Sequence, residues 1–106
     1  MSQTFKLIQR LVAEGEVKIS SHGYDELAEE SIFVHDILLS IKDAKIVEDY
    51  PSFGKGPCVL VLQYDRDSKP IHVVWGIPRG NDRPAVLITA YRPNPEKWTE
   101  DYLRRK

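Results

Sequence analysis

Cys58-Val-Leu-Val-Leu-Gln-Tyr64, the polar stretch Asp65-Arg-Asp-Ser-Lys-Pro70, and Ile71-His-Val-Val-Trp75 together decide the fold class. Both flanking runs are rich in β-branched and aromatic residues, and the stretch between them is short and made of turn formers. A parallel crossover needs about a dozen residues or more, so a connection this short joins antiparallel strands. Alternation along the second run puts Ile71, Val73 and Trp75 on one face and His72, Val74 and Gly76 on the other. The apolar set reads as core, which leaves His72 on the more open side beside a glycine.

Working outward, Ile46-Val47 and Glu48-Asp49-Tyr50 read as a strand stopped by Pro51, with Gly54-Lys-Gly-Pro57 as the turn that follows. Downstream, the span from Ile77 to Pro84 holds two prolines, a glycine and an Asn-Asp pair, and reads as a longer loop before a last strand, Ala85-Val-Leu-Ile-Thr-Ala-Tyr91. Strict alternation there sets Leu87, Thr89 and Tyr91 against Val86, Ile88 and Ala90. Four successive strands with short turns predict an antiparallel meander.

The remainder is helical. Phe5, Leu7, Ile8, Leu11 and Val12 recur at helical spacing over residues 3–14, with Ser2 and Thr4 as capping hydroxyls and Gly15 as the stop. Val17-Lys18-Ile19 alternates like a short edge strand. Ser20-Ser21 can cap a helix, and Val34, Ile37, Leu38 and Ile41 form an apolar stripe, so residues 21–42 read as a helix pair. Arg92-Pro-Asn-Pro95 breaks the sheet. Asn94 as cap and Pro95 in the first turn then predict a final helix carrying Trp98, Tyr102 and Leu103 and ending in Arg104-Arg105-Lys106. The expected architecture is α+β: N-terminal helices on one face of a curved four-stranded antiparallel β-meander, with a C-terminal helix.

The 106 residues suit a single domain spanning 1–106. One cysteine, Cys58, allows no intrachain disulfide, and neither a leader pattern nor a run of roughly 20 apolar residues is read, so the cytoplasm is expected. The net charge of −1 argues against a strong non-specific nucleic-acid binder. The distribution is uneven: residues 1–53 hold 5 Lys/Arg and 10 Asp/Glu, and residues 54–106 hold 10 Lys/Arg and 6 Asp/Glu. The second half can therefore offer a basic surface to phosphates, or the two halves are simply solvated faces of opposite sign.

His22, at a helix start, and His72, in a strand, are candidate acids or bases, while His35 lies opposite its helix's apolar stripe and reads as solvated. Cys58 and the three histidines are too scattered for a metal site, and Gly54-Lys-Gly-Pro57 is no P-loop; no cofactor is expected. Thr89 and Tyr91 share a strand face, Arg92 follows, and Arg79 and Arg83 sit in the preceding loop. Such residues on one surface could cleave a phosphodiester without metal. A base would deprotonate the ribose 2′-OH, a cation would neutralise the phosphorane, and an acid would protonate the leaving 5′-oxygen.

Three stretches, Ile19-Ser-Ser-His22, Lys69-Pro-Ile-His-Val-Val74 and Leu87-Ile-Thr-Ala-Tyr-Arg-Pro93 with Trp98 after it, resemble the domain-of-unknown-function family 4258. The resemblance runs from about Ile19 to Tyr102. It implies a RelE/ParE-like fold of the barnase–colicin–RelE group, which includes metal-independent ribonuclease toxins often paired with an antitoxin. Carried over by position, it implies His22, His72, Thr89 and Tyr91 as site residues; Arg79, Arg83 and Arg92, read from their placement around the last strand, are the expected contacts to an RNA substrate. Glu26-Leu-Ala-Glu-Glu30 makes the helix after His22 acidic, where members of the family often carry an arginine. Two functions are therefore expected in competition: a toxin-like endoribonuclease, and a non-catalytic accessory or binding domain of the same fold held by a protein partner.

Overall fold

The computed structural model describes Ser2–Lys106. Its helices are α1 (Gln3–Ala13), α2 (Ser21–Glu30) and α3 (Val34–Ser40), the last running into a 3-10 turn at Ile41–Asp43. Its strands are β1 (Val17–Ile19), β2 (Lys45–Tyr50), β3 (Cys58–Tyr64), β4 (Pro70–Gly76) and β5 (Ala85–Tyr91). Two serines start helices as expected. Ser2 Oγ accepts from Phe5 N at 3.0 Å, and Ser20 Oγ accepts from Gly23 N at 2.9 Å. Ser31 ends α2 in the left-handed region, at φ 55°.

The sheet has five strands in the order β1-β5-β4-β3-β2. β2 through β5 form the expected antiparallel meander. The expectation of four strands, all antiparallel, is corrected by β1, which pairs parallel to β5 through Val17↔Ala85, Lys18↔Val86 and Ile19↔Leu87. The chain then leaves the sheet edge as α2, whose cap residue Ser20 donates its hydroxyl to Ile88 O at 2.8 Å. Gly23 fits here because a Cβ at that position would lie 2.9 Å from Leu87 O.

The helices cover one face. Ile8, Leu11, Ile37, Val59, Val61, Ile71, Val73, Trp75 and Leu87 are all fully buried between helices and sheet. Each such aliphatic side chain contributes about 1.5–3 kcal/mol relative to exposure. One polar residue joins this face. Gln63 accepts from Trp75 Nε1 at 2.9 Å and donates to Ile37 O at 2.7 Å, so neither amide end is left unpaired.

Alternation along β4 is as expected, but along β5 it is not. Trp75 pairs with Leu87 and Val74 with Thr89, so Ile88 is the extra residue of a bulge. Leu87 therefore packs in the core with Ala85 and Ala90, while Thr89 and Tyr91 stay on the opposite face across from Val74 and His72.

The expected C-terminal helix is absent. Residues after Tyr91 form a chain of turns closed by an isolated antiparallel bridge, Trp98↔Arg105. Thr99 N donates to Arg104 O at 2.9 Å, Asp101 accepts from Thr99 Oγ1 at 2.7 Å and Leu103 N at 3.1 Å, and Tyr102 stands at φ 60°. Side chains that bond the nearby backbone offer it an alternative to helix. A helix this short starts from a costly nucleus, and burying Trp98 against the sheet outweighs it.

Candidate functional site

The face of the sheet turned away from the helices begins with the pair His72 and Tyr91, directly opposed on β4 and β5. The Tyr91 hydroxyl lies 3.2 Å from His72 Nδ1, and His72 Nε2 lies 2.8 Å from Tyr102 O. A carbonyl can only accept, so Nε2 carries the proton and Nδ1 accepts from the phenol. Trp98 stands edge-on to the imidazole at 4.4 Å between ring centres. The turns of the C-terminal segment thus roof His72, which has no exposed surface. Burial pushes its pKa down and holds the ring neutral. Burial pushes the Tyr91 phenol up, so it stays protonated at neutral pH.

Next to this pair the same face opens into a groove of about 240 Å³ lined by Glu48, Tyr50, Phe53, Tyr91 and Arg105, over a floor of Cys58, Leu60 and Val74. Glu48 reaches this face because β2 has its own bulge, between Ile46 and Glu48. Arg105 grips Glu48 with two bonds, Nε to Oε2 at 2.9 Å and Nη2 to Oε1 at 3.1 Å, and lies 4.8 Å over the Trp98 ring. Tyr50 donates to Glu48 Oε1 at 2.5 Å. The guanidinium first, and then the phenol, hold the Glu48 carboxyl below its ordinary range, so it is a carboxylate at neutral pH. The groove therefore combines a carboxylate, an always-charged guanidinium and a protonated phenol, with two further aromatic rings beside them.

Of the residues expected from sequence, His72, Thr89 and Tyr91 share this face. His22 does not join the His72–Tyr91 bond network; its side chain is exposed and its Nε2 faces Glu26 at 3.5 Å. Arg92 is taken up in structure, with Nη1 on Asp65 Oδ2 at 2.8 Å and its backbone N–H on Glu30 Oε1 at 3.0 Å. Arg79 bonds Gly54 O at 3.3 Å and Arg83 bonds Asp82 at 3.3 Å, both in exposed loops at the far end of the sheet. Sequence reasoning missed Glu48, Tyr50 and Arg105. Glu48 and Tyr50 lie two apart in a strand, which signals a shared face, but nothing local signals that Arg105 folds back onto them. Among the described residues, no group of three His, Cys, Asp or Glu is placed to hold a metal ion, and no helix is long and apolar enough to cross a membrane.

A family model described as a domain of unknown function, DUF4258, matches residues 19–92. The match takes in α2, α3 and β2 to β5, with only the last residue of β1, and stops short of the C-terminal turns that carry Trp98 and Arg105. No curated protein and no solved structure matches the chain.

Proposed function

The chain belongs to the DUF4258 family, and from the groups gathered in its open groove we propose that it is a metal-independent endoribonuclease of RelE/ParE-like fold, a toxin-like cytoplasmic module restrained by an antitoxin partner. The observation that carries this reading is the convergence of Glu48, Arg105 and Tyr91 on one groove flanked by aromatic rings. These are the three chemical types that transesterification of RNA needs, and aromatic rings suit unstacked bases.

In this reading a scissile phosphate competes with Glu48 for the Arg105 guanidinium. Losing that partner restores the basicity of the carboxylate, which then takes the proton of the ribose 2′-OH. The 2′-oxygen attacks phosphorus, Arg105 neutralises the equatorial oxygens, and the bond to the 5′-oxygen breaks. Tyr91 turns its O–H away from His72 Nδ1 and gives the proton to that oxygen, at a cost of about 1 kcal/mol for one neutral hydrogen bond. The products are a 2′,3′-cyclic phosphate and a 5′-hydroxyl, and the proton on Glu48 returns to the tyrosinate through solvent. His72 orients the Tyr91 hydroxyl and is a positioning residue. In this reading His22, Arg83 and Arg92 carry no part of the reaction.

The test is cleavage of RNA by purified protein in chelator, with and without ribosomes, read by the chemistry of the new ends. Glu48→Gln and Tyr91→Phe should each lower the rate by about 10²-fold or more, with Tyr91→Phe still folded but less stable by about 1–3 kcal/mol because the buried His72 Nδ1 loses its donor. Intact RNA under every condition, or a Glu48→Gln protein as fast as the parent, removes this reading.

A second reading, a non-catalytic domain that binds a protein partner, is favoured by one observation. His72, the histidine that sequence places nearest the site, is sealed from solvent with both nitrogens engaged. Growth arrest on expression that survives Glu48→Gln would support it.

A further inference from the structure

The groove at Glu48 does not end at Phe53. That ring also lines a second groove of about 460 Å³ at the Gly76 end of the same face, walled by Ile77 and Pro78 and floored by Gly76, Val86 and Ile88. This volume lies within the roughly 300–1,000 Å³ of small-molecule sites. We infer that this second groove is a nucleobase-stacking subsite for the nucleotide next to the scissile phosphate, with Phe53 as its platform and Lys55 and Arg79 as its phosphate contacts. The inference rests on the ribonuclease reading for the identity of its neighbour, and on separate observations for its own construction.

The first of these is that the floor is apolar and partly bare backbone. Gly76 contributes no side chain, and a Cβ there would sit 2.8 Å from Ile88 Cδ1. The bulge in β5 supplies Ile88 to this floor in addition to Val86. An apolar floor in the groove that an aromatic ring also lines suits a planar base.

The second is that the platform is built before any ligand arrives. Gly56 stands at φ +127° with its backbone so close to Ile77 that a Cβ would fall 2.1 Å from the Ile77 carbonyl oxygen. Ile77 N donates to Pro57 O at 3.0 Å, and Arg79 N donates to Lys55 O at 3.1 Å. Arg79 Nη1 reaches Gly54 O at 3.3 Å. These bonds tie the loop carrying Phe53 to the loop after β4, while the Phe53 ring itself remains 54% exposed. An exposed aromatic on a pinned loop loses little conformational freedom when a ligand covers it.

The third is charge. No acidic side chain lines this groove, and Lys55 is one of its lining residues. An apolar peptide would gain nothing from that cation, whereas a base with its phosphate uses both the apolar floor and the charge. Continuity through Phe53 then sets a strand path from Arg105 to Arg79.

The experiment measures fluorescence anisotropy of short single-stranded oligoribonucleotides carrying 2′-O-methyl groups, which cannot be cleaved through the 2′-oxygen. Phe53→Ala should weaken binding about tenfold, Phe53→Trp should restore it, and an abasic site at the flanking position should cause the same loss without adding to Phe53→Ala. Thermal melting verifies that the exposed substitution leaves the fold intact. Parent-like affinity in Phe53→Ala, or no binding by the parent protein at low salt, overturns the subsite. Loss of binding in Phe53→Ala when the parent cuts no unmodified RNA leaves the subsite standing and removes the nuclease reading. Cleavage by the parent with unchanged Phe53→Ala affinity does the reverse.

Discussion

Strands β3 and β4 present two faces that are built from the same backbone and closed in different ways. Toward the helices, Val59, Val61, Ile71, Val73 and Trp75 are fully buried and mostly apolar. Toward the other side, His72 is equally buried, but its cover is the irregular C-terminal segment, and beyond it Tyr50 and Phe53 stand exposed around an open groove. Burial alone does not say what a residue is for. Dispersion and the hydrophobic effect close the helix face and make no demand on direction. The buried Trp98, directed hydrogen bonds and one arginine close the other face, and the hydrogen bonds and the ion pair are the interactions that a polar ligand can exchange.

The largest test of this contrast is Trp75→Ala. It empties the helix face at its largest side chain and leaves Gln63 Oε1 without its donor. A loss of about 3–5 kcal/mol in equilibrium urea unfolding is expected. A loss under about 1 kcal/mol would mean that the helix face is not the one that carries stability.

The next test is pH. The folded-state pKa of His72 lies below the ordinary 6.5 because burial disfavours the imidazolium. As pH falls through about 6.5 the unfolded chain takes up a proton that the folded chain refuses, so stability present above that pH is lost below it. The slope for one proton reaches at most about 1.4 kcal/mol per pH unit. In His72→Gln that slope should be absent between the ordinary histidine pKa and the carboxylate range. The same slope in parent and variant would show that the roof over His72 admits water.

The smallest effect is expected from Arg105→Ala. Its side chain is 65% exposed, so removing the ion pair with Glu48 should cost less than about 1 kcal/mol of stability. In the proposed reaction it should still slow cleavage strongly. A large stability loss would make Arg105 a structural clasp and would blur the contrast between the two faces.

Much of the fold is legible in the chain itself. The expected strand Cys58–Tyr64 and the last strand Ala85–Tyr91 have those bounds in the structure, and Ile71–Trp75 grows by one residue at each end. Their periodicity is local, and so are the serine caps of α1 and α2. The face of His72 and its kinship with Tyr91 follow from alternation, although the bulge at Ile88 makes the route to Tyr91 different from simple counting.

What the residues alone determined, then, is which segments are strands, which are helices and which way the side chains of β4 point, because each depends on neighbours a few positions apart. Only the tertiary structure decided that β1 adds in parallel to β5, that the tail folds as turns over His72, and that Arg105 meets Glu48. Those outcomes depend on surfaces that exist only once the sheet has formed. A tryptophan that can bury against an imidazole outweighs the weak local preference of its own segment for helix.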